Sequence, residues 1–419
     1  MESLTITDVT AVLPERVIEH AAVRIDAGVI TTIDAGPLSS VTEQAAMVRG
    51  DGAYLLPGIV DLHNDNWEFE INPRAGANLP IAFALQTMER RLAAAGVTTE
   101  FHAISFQERA QKQRHLADAE VKAALIAGFN DSPARAVRHN VLHRLDVRTP
   151  GALERALPSL CEMRVPYVSL NDHAPGQGQY RDVERLIALA HVNQESRGNE
   201  ATPAEWYRER MRAALADQES VPAFYRRVAE AAAHLPLIIS THDDDTVAKV
   251  DQQLAIGATI CEFPITIEAA RYARHHGMTI VIGAPNVVRG GSQSGNLAAA
   301  ELIRLGLADA ICADYHAPCL LPAAFALADR GLADLPTAVR MISRTPARAV
   351  GLTDRGAIAP GLAADLILVR RDREGLPHVE ATFVAGRQTF GFARAPEATA
   401  GVAVFPNGRT RLAVAGTAV

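Results

Sequence analysis

Apolar positions along the chain fall into two textures. Residues 4 to 56 carry short β-rich runs, Leu4 to Val12, Ala22 to Ile25 and Val29 to Ile33, broken by glycine and proline and ending at Tyr54-Leu55-Leu56-Pro57-Gly58. The far end repeats them: Gly356-Ala357-Ile358-Ala359-Pro360-Gly361, Ala364 to Val369 and Glu380 to Gly386 read as strands with tight turns. The two ends, residues 1–56 and 354–419, are therefore expected to pair into one small β-sandwich domain around a larger middle.

In that middle, eight apolar runs alternate with Ala/Leu/Arg-rich helical stretches: Ile59 to Leu62, Val97 to Ile104, Val141 to Val147, Tyr167 to Leu170, Leu237 to Ser240, Ala258 to Glu262, Thr279 to Ile282 and Ala310 to Ala313. Strands apolar on both faces and separated by helices predict an α/β fold, a (β/α)8 TIM barrel over residues 57–353, with its chemistry where the strands end. One long connection, Gly176 to His234, is helical and heavily charged and reads either as a lid or as a solvated insertion. The tail carries a hairpin signal at Phe405-Pro406-Asn407-Gly408-Arg409.

Composition narrows the function classes. With 41 Lys+Arg against 48 Asp+Glu the formal charge is −7, which speaks against a nucleic-acid binder held by a basic surface. No run approaches the ~18 apolar residues of a membrane span, and Met1-Glu2-Ser3-Leu4-Thr5 lacks the segments of a secretory signal, so a cytoplasmic protein without membrane partners is expected. Cys161, Cys261, Cys312 and Cys319 show no CxxC spacing and are expected to be buried small apolar residues. Lysine occurs only at 112, 122 and 249, none at a strand end, so a carboxylated lysine cannot bridge two metals here.

Polar residues cluster where the strands end. His63 and Asp65 are two apart on the first strand, and a period of two puts both on one face, as two ligands of one ion require. The fifth strand runs into Thr241-His242-Asp243-Asp244 and the eighth into Ala313-Asp314-Tyr315-His316. Such clusters are costly to bury unless metal or hydrogen bonds satisfy them, so His63, Asp65, His242 and Asp314 are expected to converge on metal. Further candidate ligands are His143, Asp172, His173 and Glu262. After the seventh strand, Gly283-Ala284-Pro285-Asn286 and Val288-Arg289-Gly290-Gly291-Ser292 lead into a helix, a natural anion cradle in which Asn286, Arg289 and Ser292 would hold phosphate. Arg74 and Arg148 are additional phosphate candidates.

The Pro57-Gly58-Ile59-Val60-Asp61-Leu62-His63 entry, the split β domain, the lone Asp314 and the exit from Gly356 through Leu366 resemble the amidohydrolase superfamily. Within it, Leu62-His63-Asn64-Asp65-Asn66, Asn171-Asp172-His173-Ala174-Pro175-Gly176-Gln177, Glu262-Phe263-Pro264 and Gly283-Ala284-Pro285-Asn286 resemble the diphosphatase branch of phosphonate catabolism. Two departures from the superfamily pattern are Asp65 in place of the second His of HxH and Glu262 in place of a sixth-strand His. The resemblance implies one or two divalent ions, zinc foremost with manganese and iron as alternatives, and hydrolysis of a ribose 5-triphosphate to the 5-phosphate and pyrophosphate. It also implies Asp314 as ligand and general base, His242 and His63 as neutral ligands, Arg289 on phosphate oxygens, and a homo-oligomer. A cyclic-amide or N-acyl hydrolase, and a catalytically dead barrel serving a larger assembly, are the rival readings.

Overall fold

The computed structural model describes residues 3–36, 46–74, 76–108, 114–130, 135–193, 202–217, 219–292 and 295–392; the tail from 393 onward, with its hairpin signal, lies outside them. Eight parallel strands form the central sheet: β6 (Ile59–Asn64), β7 (Val97–Phe106), β8 (Arg138–Asp146), β9 (Tyr167–Asn171), β10 (Ile238–His242), β11 (Ile260–Glu262), β12 (Thr279–Gly283) and β13 (Ala310–Cys312), paired in chain order. Each coincides with one of the runs read from the sequence. Val60, Leu62, Phe101, Leu142, Tyr167, Ile260 and Val281 fill the interior, while Ile104, Val141, Leu145, Val168 and Ile280 belong to the larger core that packs against helices. Burial on both faces is why these strands read as near-continuous apolar runs.

The seam between β6 and β13 is not a ladder. It closes through a bridge of Asn64 with Asp314, where Asp65 N donates to Asp314 O at 2.7 Å, and through a side chain: buried Asp61 Oδ1 accepts from Ala313 N at 2.8 Å and from His63 N at 3.3 Å. Asp61→Ala is expected to destabilise the protein by about 2–4 kcal/mol by orphaning these amides, whereas Asp61→Asn keeps an acceptor and most of the stability. Chemical denaturation of the two variants checks this.

The chain ends supply a second, mixed sheet of eight strands: β1 (Leu4–Val12), β2 (Val17–Asp26), β3 (Val29–Ala35), β4 (Ala46–Arg49), β5 (Tyr54–Pro57), β14 (Leu366–Arg371), β15 (Pro377–Val384) and β16 (Arg387–Gly391). The expected sandwich is one curled sheet: its order is β16-β15-β14-β5-β1-β2-β3, and the bridge of Val29 with Ala363 folds it over a core of Ile6, Val23, Ile25, Leu55, Leu366 and Phe383. At the handover from β5 to β6, a Cβ on Gly58 would lie 2.3 Å from Thr98 Oγ1, so only glycine passes. Asp365, buried, binds both units together, accepting from Arg138 and from Ala385 N.

The connection from Gly176 to His234 contains the helices Val183–Asn193, Pro203–Ala216 and Ser220–Ala232. One cysteine expectation fails: Cys261 and Cys312 are buried, but Cys319 is half-buried and Cys161 exposed, on the outer face of the helix Ala152–Glu162. Among the described residues no helix is long and apolar enough to cross a membrane.

Candidate metal centre and anion-binding cavity

The strand ends are shaped by unusual backbone. Asp243, Phe263 and Asp314 follow β10, β11 and β13 with left-handed φ of 54, 53 and 57°. That conformation is disfavoured for residues with a Cβ, and here it turns the chain sharply at three strand exits of the same barrel mouth. Lys249, one of the few lysines, secures the first of these turns: its Nζ donates to the His242 and Asp243 carbonyls at 3.0 and 3.2 Å.

At the centre, Glu262 Oε2 lies 3.0 Å from both His63 Nδ1 and His242 Nδ1. The two rings stack with centroids 5.6 Å apart, and Phe263 packs its ring against both. Asp65 Oδ1 approaches His63 Nε2 at 3.3 Å. On the other side of His242, Nε2 is 3.5 Å from Asp243 Oδ2, and His173 sets its ring edge-on to His242 at 5.5 Å. Two groups thus have ligand atoms within 4.8 Å of one another: His63, His242 and Glu262, and His173, His242 and Asp243.

These donors fit a divalent cation. Both ring nitrogens of His63, Glu262 Oε1 and Asp243 Oδ2 are buried and lack hydrogen-bond geometry to any neighbour, although carboxylate oxygens stand close to His63. Apart from the hydrogen bond of His242 Nδ1 with Glu262 Oε2, these buried nitrogen and carboxylate atoms converge with unsatisfied lone pairs, the chemistry of a metal-ligand set. The electrostatics of the metal-free site agree. Burial pulls the His63 imidazole down, but Glu262 and Asp65 outweigh it and lift the group to about 10. Burial would raise Glu262, yet His63 and His242 hold it at about 2. The Asp314 carboxyl is pushed up to about 7 by burial, against the pull of His63.

Above the cluster opens a cavity of about 870 Å³, within the range of small-molecule sites. Of the sequence candidates, Asp65, His173, His242, Asp314, Asn286, Arg289 and Ser292 line it, with His63 and Glu262 buried beneath. Asn286 is engaged in shaping the loop: its Oδ1 accepts from Ala299 N at 3.0 Å and its Nδ2 donates to Leu297 O at 3.2 Å. Arg289 is exposed and makes no hydrogen bond or ion pair with any described residue.

Four candidates lie elsewhere. His143 faces the helices, its Nδ1 against Tyr167 O at 3.1 Å and its Nε2 against Ser159 Oγ at 2.9 Å, and so is no ligand of the cluster. Asp172 and Arg148 are spent on each other, with Arg148 Nε donating to Asp172 Oδ1 at 2.9 Å and Nη1 reaching Ala214 O on the insertion at 3.3 Å. Arg74 is exposed in a turn with Ala77 and does not line the cavity.

Two arginines were not singled out in the sequence. Arg144 is buried: Nη1 donates to Asp65 Oδ1 at 2.5 Å, and Nε and Nη2 donate to Asn171 Oδ1 at 3.3 and 3.0 Å. Arg114 is gripped by Glu68, with Nε donating to Oε1 at 3.0 Å and Nη2 to Oε2 at 2.7 Å. For Arg144 a signal existed in principle, since it sits beside His143 on β8 and adjacent strand residues face opposite ways.

A model of the amidohydrolase family matches residues 326–390. The α-D-ribose 1-methylphosphonate 5-triphosphate diphosphatase of Escherichia coli (strain K12) is 33% identical over 356 residues, 81% of this chain and 89% of that protein. Among solved structures, dihydropyrimidinase from Brevibacillus agri NCHU1002 superposes with a TM-score of 0.59 at 14% identity, covering 92% of this chain and 94% of that one. N-acetyl-D-glucosamine-6-phosphate deacetylase from Mycobacterium smegmatis gives 0.58 at 15% identity, covering 93% and 99%. At such identities these two structures share the fold alone.

Proposed function

Because the chain belongs to the α-D-ribose 1-methylphosphonate 5-triphosphate diphosphatase family of the amidohydrolase superfamily and is a hydrolase, we propose that it cleaves that ribose triphosphate to the 5-phosphate and pyrophosphate. The observation that carries this reading is the meeting of the His63–His242–Glu262 cluster with three arginines, Arg114, Arg144 and Arg289, on one cavity. A polyphosphate needs such charge: Arg114 and Arg144 are held in place by Glu68 and Asp65, and Arg289 is left for the substrate, for which a neutral cyclic amide offers no counter-charge.

His63, His242 and Glu262 would hold a divalent ion, zinc foremost, with His173 and Asp243 offering ligands on the far side of His242. Such an ion supplies a water of lowered pKa and positive charge for the phosphate oxygens. Asp314 receives the proton of the attacking water at its carboxylate. Arg289, whose side chain has no partner among the described residues, takes oxygens of the outer phosphates, and Ser292 beside it adds a hydroxyl donor. Tyr180, from the start of the insertion, walls the cavity and limits water around the reacting bond.

Phosphorus NMR of the metal-reconstituted enzyme with ribose 1-methylphosphonate 5-triphosphate tests the reading. Pyrophosphate and the 5-monophosphate are expected together. Orthophosphate alone would move the attack to the γ-phosphorus, and no reaction with metal bound would defeat the proposal. Arg289→Ala is expected to raise KM roughly tenfold or more with kcat within about threefold, because the outer phosphates are held equally before and during reaction. An unchanged KM in steady-state kinetics would remove Arg289 from the substrate site.

A further inference from the structure

We propose that Asp65 is not a metal ligand but the holder of Arg144, and, resting on the diphosphatase reading for the identity of that group, that Arg144 is a catalytic residue meeting the phosphoryl group under attack. Neither set of converging ligand atoms includes Asp65. Its side chain is 29% exposed, against 1% for His63 and none for Glu262, so it stands at the cavity wall rather than inside the cluster. What it does hold is Arg144, at 2.5 Å.

Arg144 is fixed on three sides. Asp65 takes a hydrogen of Nη1, Asn171 Oδ1 takes those of Nε and one of Nη2, and Nη2 also lies 3.3 Å from His242 Nε2, which places the guanidinium against the edge of the cluster. Of five N–H groups Asp65 and Asn171 take three, which leaves one on each Nη in a side chain that lines the cavity. A permanent cation held rigidly next to the candidate metal cluster is the arrangement that stabilises charge developing in a reaction without reorganising. Arg114 lacks that contact with His242, and Arg289 stands exposed at the C-terminal end of the short helix Ala284–Arg289 that follows β12, where the sequence reads as a loop. A triphosphate would therefore place its reacting phosphorus by Arg144 and its outer phosphates by Arg289.

In the step so defined, the water oxygen bonds to the α-phosphorus while the bond from that phosphorus to the bridging oxygen breaks. The water proton passes to Asp314, and the bridging oxygen leaves with pyrophosphate. Arg144 opposes the negative charge on the oxygens of the phosphoryl group in flight. Asp65 and Asn171 are positioning residues that aim it.

The test compares Asp65→Asn, Arg144→Met and the double variant as full-length chains loaded with Mn²⁺. Asp65→Asn is expected to bind Mn²⁺ with wild-type stoichiometry and a Kd within about threefold, while kcat falls on the order of 10- to 100-fold. Arg144→Met is expected to lose roughly 10³-fold in kcat with a much smaller change in KM, and to bind inorganic tripolyphosphate about tenfold more weakly or worse. The double variant should be no slower than Arg144→Met, since Asp65 acts through Arg144. Loss of Mn²⁺ from Asp65→Asn, or additive losses in the double variant, would overturn the assignment of Asp65. Unchanged tripolyphosphate binding and kcat in Arg144→Met would overturn that of Arg144. If Arg144→Met does not fold, Arg144→Lys, which keeps the charge but loses the fork, must fall in kcat without losing Mn²⁺; wild-type kcat would overturn the proposal. If the wild type leaves the ribose triphosphate intact, the diphosphatase reading fails by itself, and Mn²⁺ and tripolyphosphate binding still decide Asp65 and Arg144.

Discussion

Replacing His242 with alanine is expected to lower turnover on the order of 10⁴-fold, about 5.5 kcal/mol of barrier, while the barrel stays folded. His242 stands in both groups of converging donors, so its removal leaves each with two members, below what a closed divalent site needs. The fold should survive because the residue ends β10 at the rim rather than in the interior packed by Tyr167, Ile260 and Val281. Circular dichroism, bound metal per chain and kcat, measured on the same sample, separate these outcomes. A variant with full metal and near-normal kcat would take His242 out of the site.

Stripping the metal with a chelator is expected to abolish hydrolysis and to leave a protein in which the stability contributed by Glu262 and His63 is greatest between about pH 4.5 and 6.5. Glu262 is held at about 2, below its ordinary 4.5, so its contribution is present above 4.5 and is lost as pH falls toward 2. His63 is lifted to about 10 from its ordinary 6.5, so its contribution is complete below 6.5 and is lost as pH rises toward 10. A divalent ion held by His63 would displace the His63 proton, so its affinity is expected to rise with pH. At a hundredfold excess over Kd it adds about 2.7 kcal/mol. Melting curves of chelated and Mn²⁺-reloaded protein at pH 5.5 and 8.5 should show the wider gap at pH 8.5. An equal gap at both values would separate His63 from the ion.

The parts of the site legible in the sequence were those in which a polar residue ends an apolar strand. His63, His242, Glu262 and Asp314 stand out against Leu62, Ile239, Ile260 and Ile311, because a buried strand tolerates polarity only where something satisfies it. The strands were equally plain, since burial on both faces leaves an unbroken apolar run. That same burial hid which way each side chain points. On β8, Val141, His143 and Leu145 face the helices while Leu142 and Arg144 face inward, and with apolar residues on both faces the run carries no phase. The pattern therefore leaves open whether His143 or Arg144 faces the site, and only the fold chooses Arg144.

Arg148 and Asp172 failed for a different reason. Both sit at strand ends, as catalytic residues of a barrel do, but each finds its counter-charge in the other, a pairing between positions 24 residues apart. The seam through Asp61 and Ala313 spans 252 residues, and nothing local to Asp61 announces it.

The chain by itself determined the barrel, its strand count and the types of the candidate ligand residues at the strand ends, because periodicity and the cost of burying polar groups act over a few residues. Tertiary structure alone decided which charges are left over for chemistry. Arg144 and Asp65, or Arg148 and Asp172, are the same residue types in the same setting, and only the folded distances show that one pair faces the cavity while the other ties down the insertion. Electrostatic interaction depends on separation and burial in space, neither of which sequence spacing records.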